Sequence, residues 1–541
     1  MTEIMDDMTI DAVFAAAVAR HGDRSFLAVP ARRDRGYLDA GVDITYRDAA
    51  ARIAELVAAY RAAGYGLGHR VATLLENRPD YVFHKLALNS IGACCVPINP
   101  DYREPEIAYL VEHSEPDLVV ALPARRRQLA GALPEDAPPR VVTPDDGLTL
   151  PEPRRPARGE TLSPETPASI LYTSGTTGRP KGCVLSHGYE IASGARYASL
   201  GGIASLRPGR ERIFNPLPLY HVNAGTLSLF GAILTGNCQI QSDRFHPERW
   251  WGEIAQTKAT VAHYLGVIVP LLLNRAPGGE ERAHRVRFAI GAGVEPQLHR
   301  RAEERFGFPL VEIWGMTEMV RILADSEEPR EVGTRAFGRA NAGIEARVVD
   351  DEDRDVAAGA PGELLIRHSA ATPRRGFFSG YLNDEAATEA VWRGGWFHTG
   401  DVVRCSGGGM LHFVDRRKNI IRRSGENIAA AEVEAVLLGH PQVRQAAVMA
   451  VADEVREEEV LACVVPSEPG MPAGDLAAAL VAHCLDRLAY FKAPGWIHVV
   501  DSLPTTATQK VQKHVIYPPG IDPRHLAEVL DMRGLKRRRQ G

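Results

Sequence analysis

The sequence lacks the patterns that mark zinc sites, disulfide frameworks and membrane spans. Its seven cysteines are odd in number and scattered, without a CxxC pair, which is typical of reduced, buried thiols in the cytosol. Its 18 histidines form no HExxH motif and no Cys/His ligand spacing, so we expect no zinc site. No apolar run approaches about 18 residues, and the acidic first residues contain no basic segment followed by an apolar one. We therefore expect a cytoplasmic protein without a membrane span.

An excess of charge of one sign is also missing. The net charge is −5 over 541 residues, of which 24% are charged, and this balance argues against a dedicated nucleic-acid-binding protein. The basic stretch Leu535–Gly541 is interpreted as a solvated terminus. A chain of this length is too long for a single core, which predicts two or more domains.

Helical and strand patterns alternate in the first part of the chain. Apolar residues recur at helical spacing over Asp48–Tyr65, and Arg70–Asn77 has the pattern of a buried strand. The alternation continues through the strand pattern CCVPIN, the helix pattern REPEIAYLVEHSEP and the strand pattern DLVVAL. Apolar strands that alternate with helices predict a parallel sheet. The Pro- and Arg-rich stretch 143–169 is predicted to be a surface connector, after which the α/β pattern resumes.

The pattern changes after about residue 340. Hairpin-like strands with turn residues over 340–415 predict a small β-rich subdomain, and a compact α+β segment follows to about residue 520. The predicted fold class is therefore α/β. A large N-terminal domain contains two parallel-type α/β subdomains and the β-rich subdomain, and a small α+β domain follows it.

One loop concentrates glycine, hydroxyl groups and positive charge. The stretch YTSGTTGRPKG, Tyr172–Gly182, directly follows an apolar strand. Glycines let backbone N–H groups point to one side, and the hydroxyls and Lys181 beside them add donors and a cation, so the loop is predicted to bind a polyphosphate. It is not a Walker A loop, because GxxxxGK[ST] is not met. A flexible surface loop rich in glycine and threonine is the alternative.

Six further motifs follow this loop along the chain. They are PLPLYHVNAG (216–225), GAGVEP (291–296), IWGMTE (313–318), WFHTGD (396–401), DRRKNIIRRSGENI (415–428) and LPTTATQKVQK (503–513). With them the sequence resembles, over about residues 10–518, the adenylate-forming superfamily of acyl-CoA synthetases, luciferases and peptide-synthetase adenylation domains. LYHVNAG and TQKVQK are most similar to CoA ligases of the carnitine/crotonobetaine and bile-acid kind. The resemblance implies an N-terminal ATP- and acyl-binding domain (1–415) and a mobile C-terminal domain (416–541).

The resemblance also implies a reaction in two steps. A carboxylate attacks the α-phosphate of ATP to give acyl-AMP and pyrophosphate, and the thiol of coenzyme A then displaces AMP. Glu318 would bind Mg²⁺, which prefers hard oxygen ligands, and Thr317 would contact the α-phosphate. The β- and γ-phosphates would be held by the loop residues Thr173, Ser174, Gly175, Thr176, Thr177, Gly178 and Lys181.

The nucleoside would be held by residues of three motifs. Asp401 would accept hydrogen bonds from both ribose hydroxyls, as a carboxylate can, and Arg416 would support the ribose. Outside this context, a Gly-Asp pair is usually turn chemistry and a lone tryptophan is usually core. The adenine would contact Gly291, Ala292, Gly293 and Trp314, the last in place of the family's usual tyrosine.

The C-terminal motifs carry the residues expected to change roles between the two steps. Lys510 corresponds to the family's adenylation lysine, which bridges the attacking carboxylate and the phosphate. Gln509 stands where glycine is usual, and this departure motivates the alternative that only one half-reaction is performed. The resemblance gives Lys418 the role of hinge and brings Gly425 to the pantetheine of coenzyme A in the second step.

The acyl pocket is the least determined part of the site. His221 is expected at the junction of acyl pocket, phosphates and pantetheine, and a satisfied core histidine is the alternative. Apolar and aromatic walls favour a hydrophobic acid, to which Asn223 would add one polar contact. The pocket would draw on Tyr220, Asn223, His263, Tyr264, Gly266, Gly291 and Val320.

The leading interpretation is an ATP- and Mg²⁺-dependent acyl-CoA ligase that acts on a hydrophobic carboxylic acid and coenzyme A. Three alternatives remain open: an enzyme of this fold that performs one half-reaction, one that loads a carrier protein, and a non-catalytic nucleotide-binding protein. The presence of Lys181, Glu318, Asp401 and Lys510 counts against the last. We expect neither nucleic acid nor a membrane as partner. A homo-oligomer is compatible with the sequence, which does not identify the acid.

Overall fold

The computed structural model describes residues 8–136, 138–144, 149–159, 161–173, 180–341, 343–423, 426–454, 456–468, 470, 472–505, 511–518 and 520–536. The chain divides into two compact units, Met1–Glu345 with Arg367–Phe397, and Ala346–Ile366 with His398–Gly541. The predicted β-rich region is thus shared between the units, and a domain boundary at residue 415 stays a prediction. None of the described helices combines the length and hydrophobicity that a bilayer crossing requires.

The described elements up to residue 198 alternate between helix and strand. They are α1 (Ile10–His21), β1 (Ser25–Val29), β2 (Val42–Thr45), α2 (Tyr46–Ala62), β3 (Arg70–Leu74), α3 (Pro79–Ser90), β4 (Cys94–Pro97), α4 (Glu104–Ser114), β5 (Leu118–Ala121), α5 (Arg126–Ala130), β6 (Arg140–Val142), β7 (Pro167–Thr173), β8 (Lys181–Ser186) and α6 (His187–Ala198).

A second α/β series follows to residue 339. It comprises β9 (Arg212–Phe214), a π-helix (Asn223–Ser228), α7 (Leu229–Thr235), β10 (Cys238–Ile240), α8 (Trp250–Thr257), β11 (Val261–Leu265), α9 (Ile268–Leu273), β12 (Phe288–Ala292), α10 (Pro296–Phe306), β13 (Leu310–Met316), β14 (Met319–Ala324) and β15 (Ala336–Arg339).

Strands predominate in the remainder. The elements are β16 (Glu345–Val349), β17 (Pro361–Arg367), β18 (Gly380–Tyr381), α11 (Glu385–Ala390), β19 (Trp392–Arg393), β20 (Trp396–Cys405), β21 (Met410–Arg416), β22 (Ile420–Arg423), β23 (Glu426–Ala429), α12 (Ala430–Leu438), β24 (Val443–Asp453), β25 (Glu457–Pro466), α13 (Ala473–Arg487), β26 (Trp496–Val499) and β27 (Val529–Asp531).

The first unit contains a seven-stranded sheet in the order β18-β8-β7-β4-β3-β5-β6. Strand β3 pairs in parallel with both β4 and β5, as the alternating pattern predicts. Strands β7 and β8 form an antiparallel hairpin in which Thr173 lies opposite Lys181, so the predicted phosphate loop connects two paired strands. The far edge of this hairpin is covered by β18, where Tyr381 lies opposite Cys183.

Helix α2 shows how local sequence sets an element. Thr45 caps its N-terminus by accepting a hydrogen bond from the backbone N–H of Asp48, whose carboxylate accepts one from the N–H of Thr45. Such a capping box satisfies two backbone donors that helix geometry leaves free. The helix ends at Ala62, before Gly64 with its φ of +93°. It therefore begins and ends slightly earlier than the apolar pattern over Asp48–Tyr65 indicates.

An eight-stranded sheet in the order β14-β13-β12-β11-β9-β10-β1-β2 forms the rest of the framework of the first unit. Its six central strands are parallel, and its two edge strands are antiparallel. One buried apolar cluster takes in Val71 and Leu118 from the seven-stranded sheet and Phe214 and Ala262 from this one, together with residues of α1–α3. Both sheets therefore share a core.

The predicted surface connector, 143–169, has no helix or strand over its described residues 143–144, 149–159 and 161–166, but its last three residues belong to β7. It is nevertheless attached to the first subdomain, because the backbone N–H of Arg158 donates to the carbonyl of Leu67 at 2.9 Å and His69 Nε2 lies 2.8 Å from the carbonyl of Arg155. The seven cysteines are all free, and each except Cys405 is buried.

In the second unit, β21, β20, β17 and β16 are neighbours in one sheet. The segment after residue 415 forms another sheet, in which β23, β22, β25, β26 and β27 are neighbours and β24 also pairs with β25. Helices α12 and α13 pack on this sheet through a buried cluster that includes Ile421, Val433, Leu480 and Ile497. This arrangement confirms the predicted α+β segment.

Candidate active site

Parallel strands of the eight-stranded sheet end side by side at one edge. Strands β11 and β12 are paired with Tyr264 opposite Gly291, and the chain continues past both at the same level. A Cβ on Gly266 would lie 1.8 Å from the carbonyl oxygen of Gly293, whose own φ is +88°. Glycine is therefore required at both positions. Ligands bind at the carboxyl ends of such strands, and the predicted adenine residues Gly291, Ala292 and Gly293 lie there.

A buried carboxylate holds the backbone that follows β12 in place. Glu312 on β13 accepts hydrogen bonds from the hydroxyl of Tyr264 at 2.7 Å and from the backbone N–H groups of Gly293 at 2.9 Å and Val294 at 3.3 Å. Burial raises the pKa of Glu312. None of the sequence motifs points to Glu312, although a single charge within the apolar strand LVEIW was an available signal.

Trp314 follows on the same strand and is buried. Its ring stacks on that of Phe337, with 5.8 Å between the ring centres and 29° between the planes. The Trp314 side chain, which is predicted to contact adenine, is thus already held in place by Phe337. Aromatic pairs of this kind stabilise a structure by roughly 0.5–1.5 kcal/mol beyond the burial of their surface.

The two ends of the predicted phosphate loop are described, whereas its centre is not. Thr173 is the last residue of β7 and Lys181 the first of β8. The Lys181 ammonium lies over the ring of Tyr381, 4.9 Å from its centre, within the range of a cation–π contact. The predicted residues Ser174, Gly175, Thr176, Thr177 and Gly178 lie outside the described part of the chain.

Tyr381, whose ring lies under Lys181, also contacts Glu318. Oε1 of Glu318 accepts a hydrogen bond from the hydroxyl of Tyr381 at 2.9 Å and faces the thiol of Cys183 at 3.7 Å. Its Oε2 has no partner among the described residues. The carbonyl oxygen of Thr317 accepts a hydrogen bond from the hydroxyl of Tyr189 at 2.7 Å, which fixes the backbone beside Glu318. Tyr381 was not among the residues that the motifs indicated.

Glu318 has the chemistry of a ligand for a hard cation. The carboxylate is 7% exposed, and one of its two oxygens remains available to a ligand. No cluster of three or more His, Cys, Asp or Glu side chains suited to a metal occurs within the part of the chain that the structure describes. A cation at Glu318 would therefore depend on phosphate and water oxygens, which is how Mg²⁺ is usually bound beside nucleotides.

His221 has exposed surface, unlike a core histidine. Its ring lies 4.7 Å from that of Tyr220, and within the described chain neither of its nitrogens has a hydrogen-bond partner. Burial lowers its pKa to about 4. Exposed surface together with strong desolvation is expected of a side chain that lines a narrow recess.

The residues predicted to form the acyl pocket differ in how far they reach a surface. Tyr220 and Asn223 are half-buried, whereas His263 and Tyr264 are 0% and 2% exposed. The ring of His263 is held on both sides, by the hydroxyl of Tyr197 and the amide of Asn223, each at 2.8 Å. Val320 belongs to β14, and its side chain lies outside the described part.

The second unit brings together the two residues predicted to bind ribose. Arg416 and Asp401 lie opposite each other on paired strands, with 2.7 Å between Nε and Oδ1. Asp401 is buried, and its backbone N–H donates to the hydroxyl of Thr399 at 3.1 Å. The predicted hinge residue Lys418 lies in a short 3₁₀ turn, Arg417–Asn419, whereas Gly425 and Lys510 fall outside the described residues.

The structure is that of an α/β protein, and the comparisons with known proteins identify its family. Residues 14–382 match the AMP-binding enzyme family, and residues 432–510 match the AMP-binding enzyme C-terminal domain. The chain therefore belongs to the AMP-binding enzyme family, and it is an AMP-forming acid–thiol ligase. The predicted superfamily, branch and fold class are confirmed.

Relatives that are 30% identical to this chain are CoA ligases. The chain is 30% identical to the crotonobetaine/carnitine–CoA ligase of Shigella sonnei over 467 residues, which are 83% of this chain and 88% of the relative. It is 30% identical to the sulfoacetate–CoA ligase of Cupriavidus necator over 523 residues, or 94% and 97% of the two chains. The structure of ATP-bound MatB from Rhodopseudomonas palustris is similar to this one, with a TM-score of 0.78 at 25% identity. The similarity covers 94% of this chain and 98% of MatB.

Proposed function

We propose that this enzyme converts a hydrophobic carboxylic acid into its acyl-CoA thioester through an acyl-AMP intermediate, with ATP as the activating substrate. One observation carries the proposal. The ring of Tyr381 lies beneath the Lys181 ammonium, while its hydroxyl contacts the half-open carboxylate of Glu318. A cation for phosphates and an oxygen ligand for a metal therefore adjoin the ends of the phosphate loop.

The first step brings a carboxylate towards a polyanion, so it requires positive charge near the α-phosphate. The acid's oxygen forms a bond to the α-phosphorus, and the bond from that phosphorus to pyrophosphate breaks. Lys181 and the loop that it ends would neutralise the β- and γ-phosphates, while the Thr317 hydroxyl would donate to the α-phosphate. Lys510 would bridge the attacking carboxylate and a phosphate oxygen, which lowers their repulsion.

A magnesium ion fits this arrangement. Glu318 would hold it through Oε2, which no described residue contacts, while Tyr381 and Cys183 contact Oε1. When bound, Mg²⁺ supplies positive charge that screens the phosphates. The protein's own contribution is to keep this carboxylate oriented, because the hydroxyl of Tyr381 fixes one oxygen and burial restricts the side chain.

The adenine would be held by glycine-rich backbone and the ribose by a charged side chain. Gly291, Ala292 and Gly293 present a surface free of bulky side chains, beside Trp314. Asp401 would accept hydrogen bonds from the ribose hydroxyls, and Arg416, which pairs with it, would support the ribose.

The second step transfers the acyl group. The thiol of coenzyme A attacks the carbonyl carbon of acyl-AMP, a C–S bond forms, and AMP leaves with the electrons of the C–O bond. His221, whose pKa of about 4 keeps it neutral at pH 7, would position these groups without adding charge. We include in this proposal a mobile domain over 416–541. Lys418 would be its hinge, and its movement would bring Gly425 to the pantetheine of coenzyme A.

A screen of carboxylic acids with ATP, Mg²⁺ and coenzyme A, read by mass for both acyl-AMP and acyl-CoA, tests this function. We expect acyl-CoA with at least one acid and loss of acyl-AMP formation in Lys510→Ala. Transfer from chemically synthesised acyl-AMP to coenzyme A should survive in that variant. Unchanged acyl-AMP formation in both Lys510→Ala and Glu318→Gln would contradict the assigned residues.

A second candidate has a specific observation in its favour. Gln509 precedes Lys510 where the family pattern usually has glycine, and a side chain there disfavours a conformation with positive φ. The chain could then perform only thioesterification of an acyl-adenylate made elsewhere. Acid-dependent exchange between pyrophosphate and ATP decides between the two: robust exchange excludes the half-reaction enzyme. Supplying a phosphopantetheinyl carrier protein in place of coenzyme A tests the carrier-loading alternative.

A further inference from the structure

We infer that the acid is not a plain hydrocarbon acid: its acyl chain carries a hydrogen-bond acceptor, and the side-chain N–H₂ group of Asn223 donates to it. This inference rests on the proposed function, because it takes Asn223 to line the acyl pocket. It is carried by a chain of buried hydrogen bonds that leaves the Asn223 amide only one orientation.

This series of hydrogen bonds begins at a backbone N–H group, which can only donate. The N–H of Leu217 donates to Oδ1 of Asn215 at 3.1 Å, so Nδ2 of Asn215 must point the other way. That nitrogen donates to Oγ of Ser228 at 2.9 Å and to Oδ1 of Asn223 at 2.9 Å. Because a donor faces it, the group of Asn223 on this side must be its oxygen.

A buried histidine is compatible with this assignment and takes its tautomer from it. His263 Nδ1 lies 2.8 Å from Oδ1 of Asn223, and Nε2 lies 2.8 Å from the hydroxyl of Tyr197. An amide oxygen cannot donate, so Nδ1 carries the ring proton and the hydroxyl of Tyr197 donates to Nε2. Burial lowers the pKa of His263 to about 3, consistent with a neutral ring with a single proton.

The oxygen of Asn223 thus accepts two hydrogen bonds inside the protein, and its nitrogen faces outwards. Nδ2 has no partner in the described chain, although Asn223 is half-buried and its oxygen side is closed by the contacts above. Asn223 begins the π-helix Asn223–Ser228, whose Gly225 lies so close to the carbonyl of Leu219 that a Cβ would be 2.0 Å from it. Single π-turns are rare and are frequent at functional sites.

The network behind Asn223 is satisfied and leaves it little freedom. Oγ of Ser228 donates to Gln239 at 2.7 Å, and Nε2 of Gln239 donates to Gln241 at 3.1 Å. All three side chains are buried. Reversing the Asn223 amide would set its nitrogen against Nδ2 of Asn215, donor against donor, so the outward donor is fixed before substrate binds.

If Asn223 lines the acyl pocket as proposed, a fixed donor there selects for a matching acceptor. A hydrocarbon acid would strip water from Nδ2 without replacing its hydrogen bond, whereas a hydroxyl, carbonyl, sulfonate or second carboxylate would restore it. Sites built around such a bond discriminate strongly against analogues that lack the acceptor. The expected substrate therefore has an apolar body and one accepting group besides the carboxylate that reacts.

Paired acids of similar length test the inference: pentanoate against levulinate, butanoate against β-hydroxybutyrate, and propanoate against sulfoacetate. Pyrophosphate release with ATP and Mg²⁺ gives kcat/KM for each. We expect the acceptor member of at least one pair to be preferred by roughly tenfold or more. In Asn223→Leu, which is close in shape but has no donor, this preference should fall to about one. A preference for the plain acid in every pair, or a ratio that survives Asn223→Leu, would overturn the inference.

A second variant keeps the test decisive if Asn223→Leu does not fold. Asn223→Asp retains an oxygen for Asn215 and His263 but replaces the outward donor by a negatively charged acceptor, so we expect acceptor-bearing acids to lose more than their plain partners. Thermal unfolding with and without ATP checks that both variants keep the fold and the nucleotide site. Release of no pyrophosphate with any acid would contradict the proposed function itself, whereas release without acceptor preference contradicts only this inference.

Discussion

Two glutamates six positions apart, Glu312 and Glu318, are buried to nearly the same degree, 6% and 7% exposed, yet their surroundings differ. Glu312 receives hydrogen bonds on both oxygens from three donors. Glu318 is contacted on one oxygen only among the described residues. Burial by itself therefore does not distinguish a structural carboxylate from a functional one. The number of acceptor sites left open does.

The physical reason is the cost of removing a carboxylate from water. Donors that replace the lost water offset part of that cost, as around Glu312, although burial still raises the pKa of this carboxyl. Among the described residues the replacement is incomplete at Glu318, and the proposed function assigns the open oxygen to a ligand with positive charge. The pair therefore contains its own control, because one glutamate should respond to substitution in stability and the other in chemistry.

The largest effect is expected at Glu318. Glu318→Gln keeps the shape and the oxygen that Tyr381 contacts but removes the charge for a cation, so acyl-AMP formation should fall by about a hundredfold or more. The measurement is pyrophosphate release across a magnesium titration, with thermal unfolding as the control. Full activity at saturating magnesium would show that Glu318 is closed like Glu312, and the contrast would fail.

The next effect is one of stability. Glu312→Ala strands the hydroxyl of Tyr264 and the N–H groups of Gly293 and Val294, and the free energy of unfolding should fall by about 3 kcal/mol. Urea unfolding measures it, with Glu312→Gln expected to lose less because it keeps one accepting oxygen. If Glu312→Ala were as stable as the wild type and instead lost its magnesium dependence, the roles of the two glutamates would have to be exchanged.

Smaller effects are expected from the two phenols that donate to these carboxylates. Tyr264→Phe should lower the free energy of unfolding by about 1 kcal/mol without changing the magnesium requirement. Tyr381→Phe keeps the ring beneath Lys181 but frees Oε1 of Glu318, so the KM for ATP with magnesium should rise by about threefold. Initial rates and urea unfolding on both variants test the comparison. Equal effects of the two substitutions on KM would remove it.

The smallest effect concerns pH. Burial raises the pKa of Glu312 above its usual 4.5, so the folded protein keeps this proton where the unfolded chain has released it. The resulting stability is fully present below pH 4.5 and is lost as the pH rises through the folded pKa. Glu312→Gln cannot titrate, so its free energy of unfolding should depend less on pH above 4.5. Parallel slopes in urea unfolding at a series of pH values would contradict this.

Much of the first unit could be predicted from its sequence. The alternation β3–α3–β4–α4–β5 follows from apolar runs and helical spacing, and the parallel pairing follows from that alternation. Element ends were less accurate, since α2 begins at a capping box that the apolar pattern does not contain. The motifs gave Lys181 and Glu318 because local sequence carries them.

The residues that complete the site could not be found in the same way. Tyr381 reaches Glu318 because β18 pairs with β8, almost 200 positions earlier in the chain. Glu312 and Tyr264 meet across neighbouring strands, and Asn223 obtains its orientation from Asn215 and His263. No local pattern encodes such pairings, because they depend on which strands become neighbours and in which register.

The family, the order of elements and the loop expected to bind phosphates follow from local sequence, since they depend on spacing, on glycine and on charges that lie close together along the chain. Tertiary packing sets which of two similarly buried glutamates has an oxygen without a donor among the described residues, and which way the Asn223 amide points. Both are settled by the donors that packing brings to a buried acceptor, and those donors come from strands and helices distant in sequence.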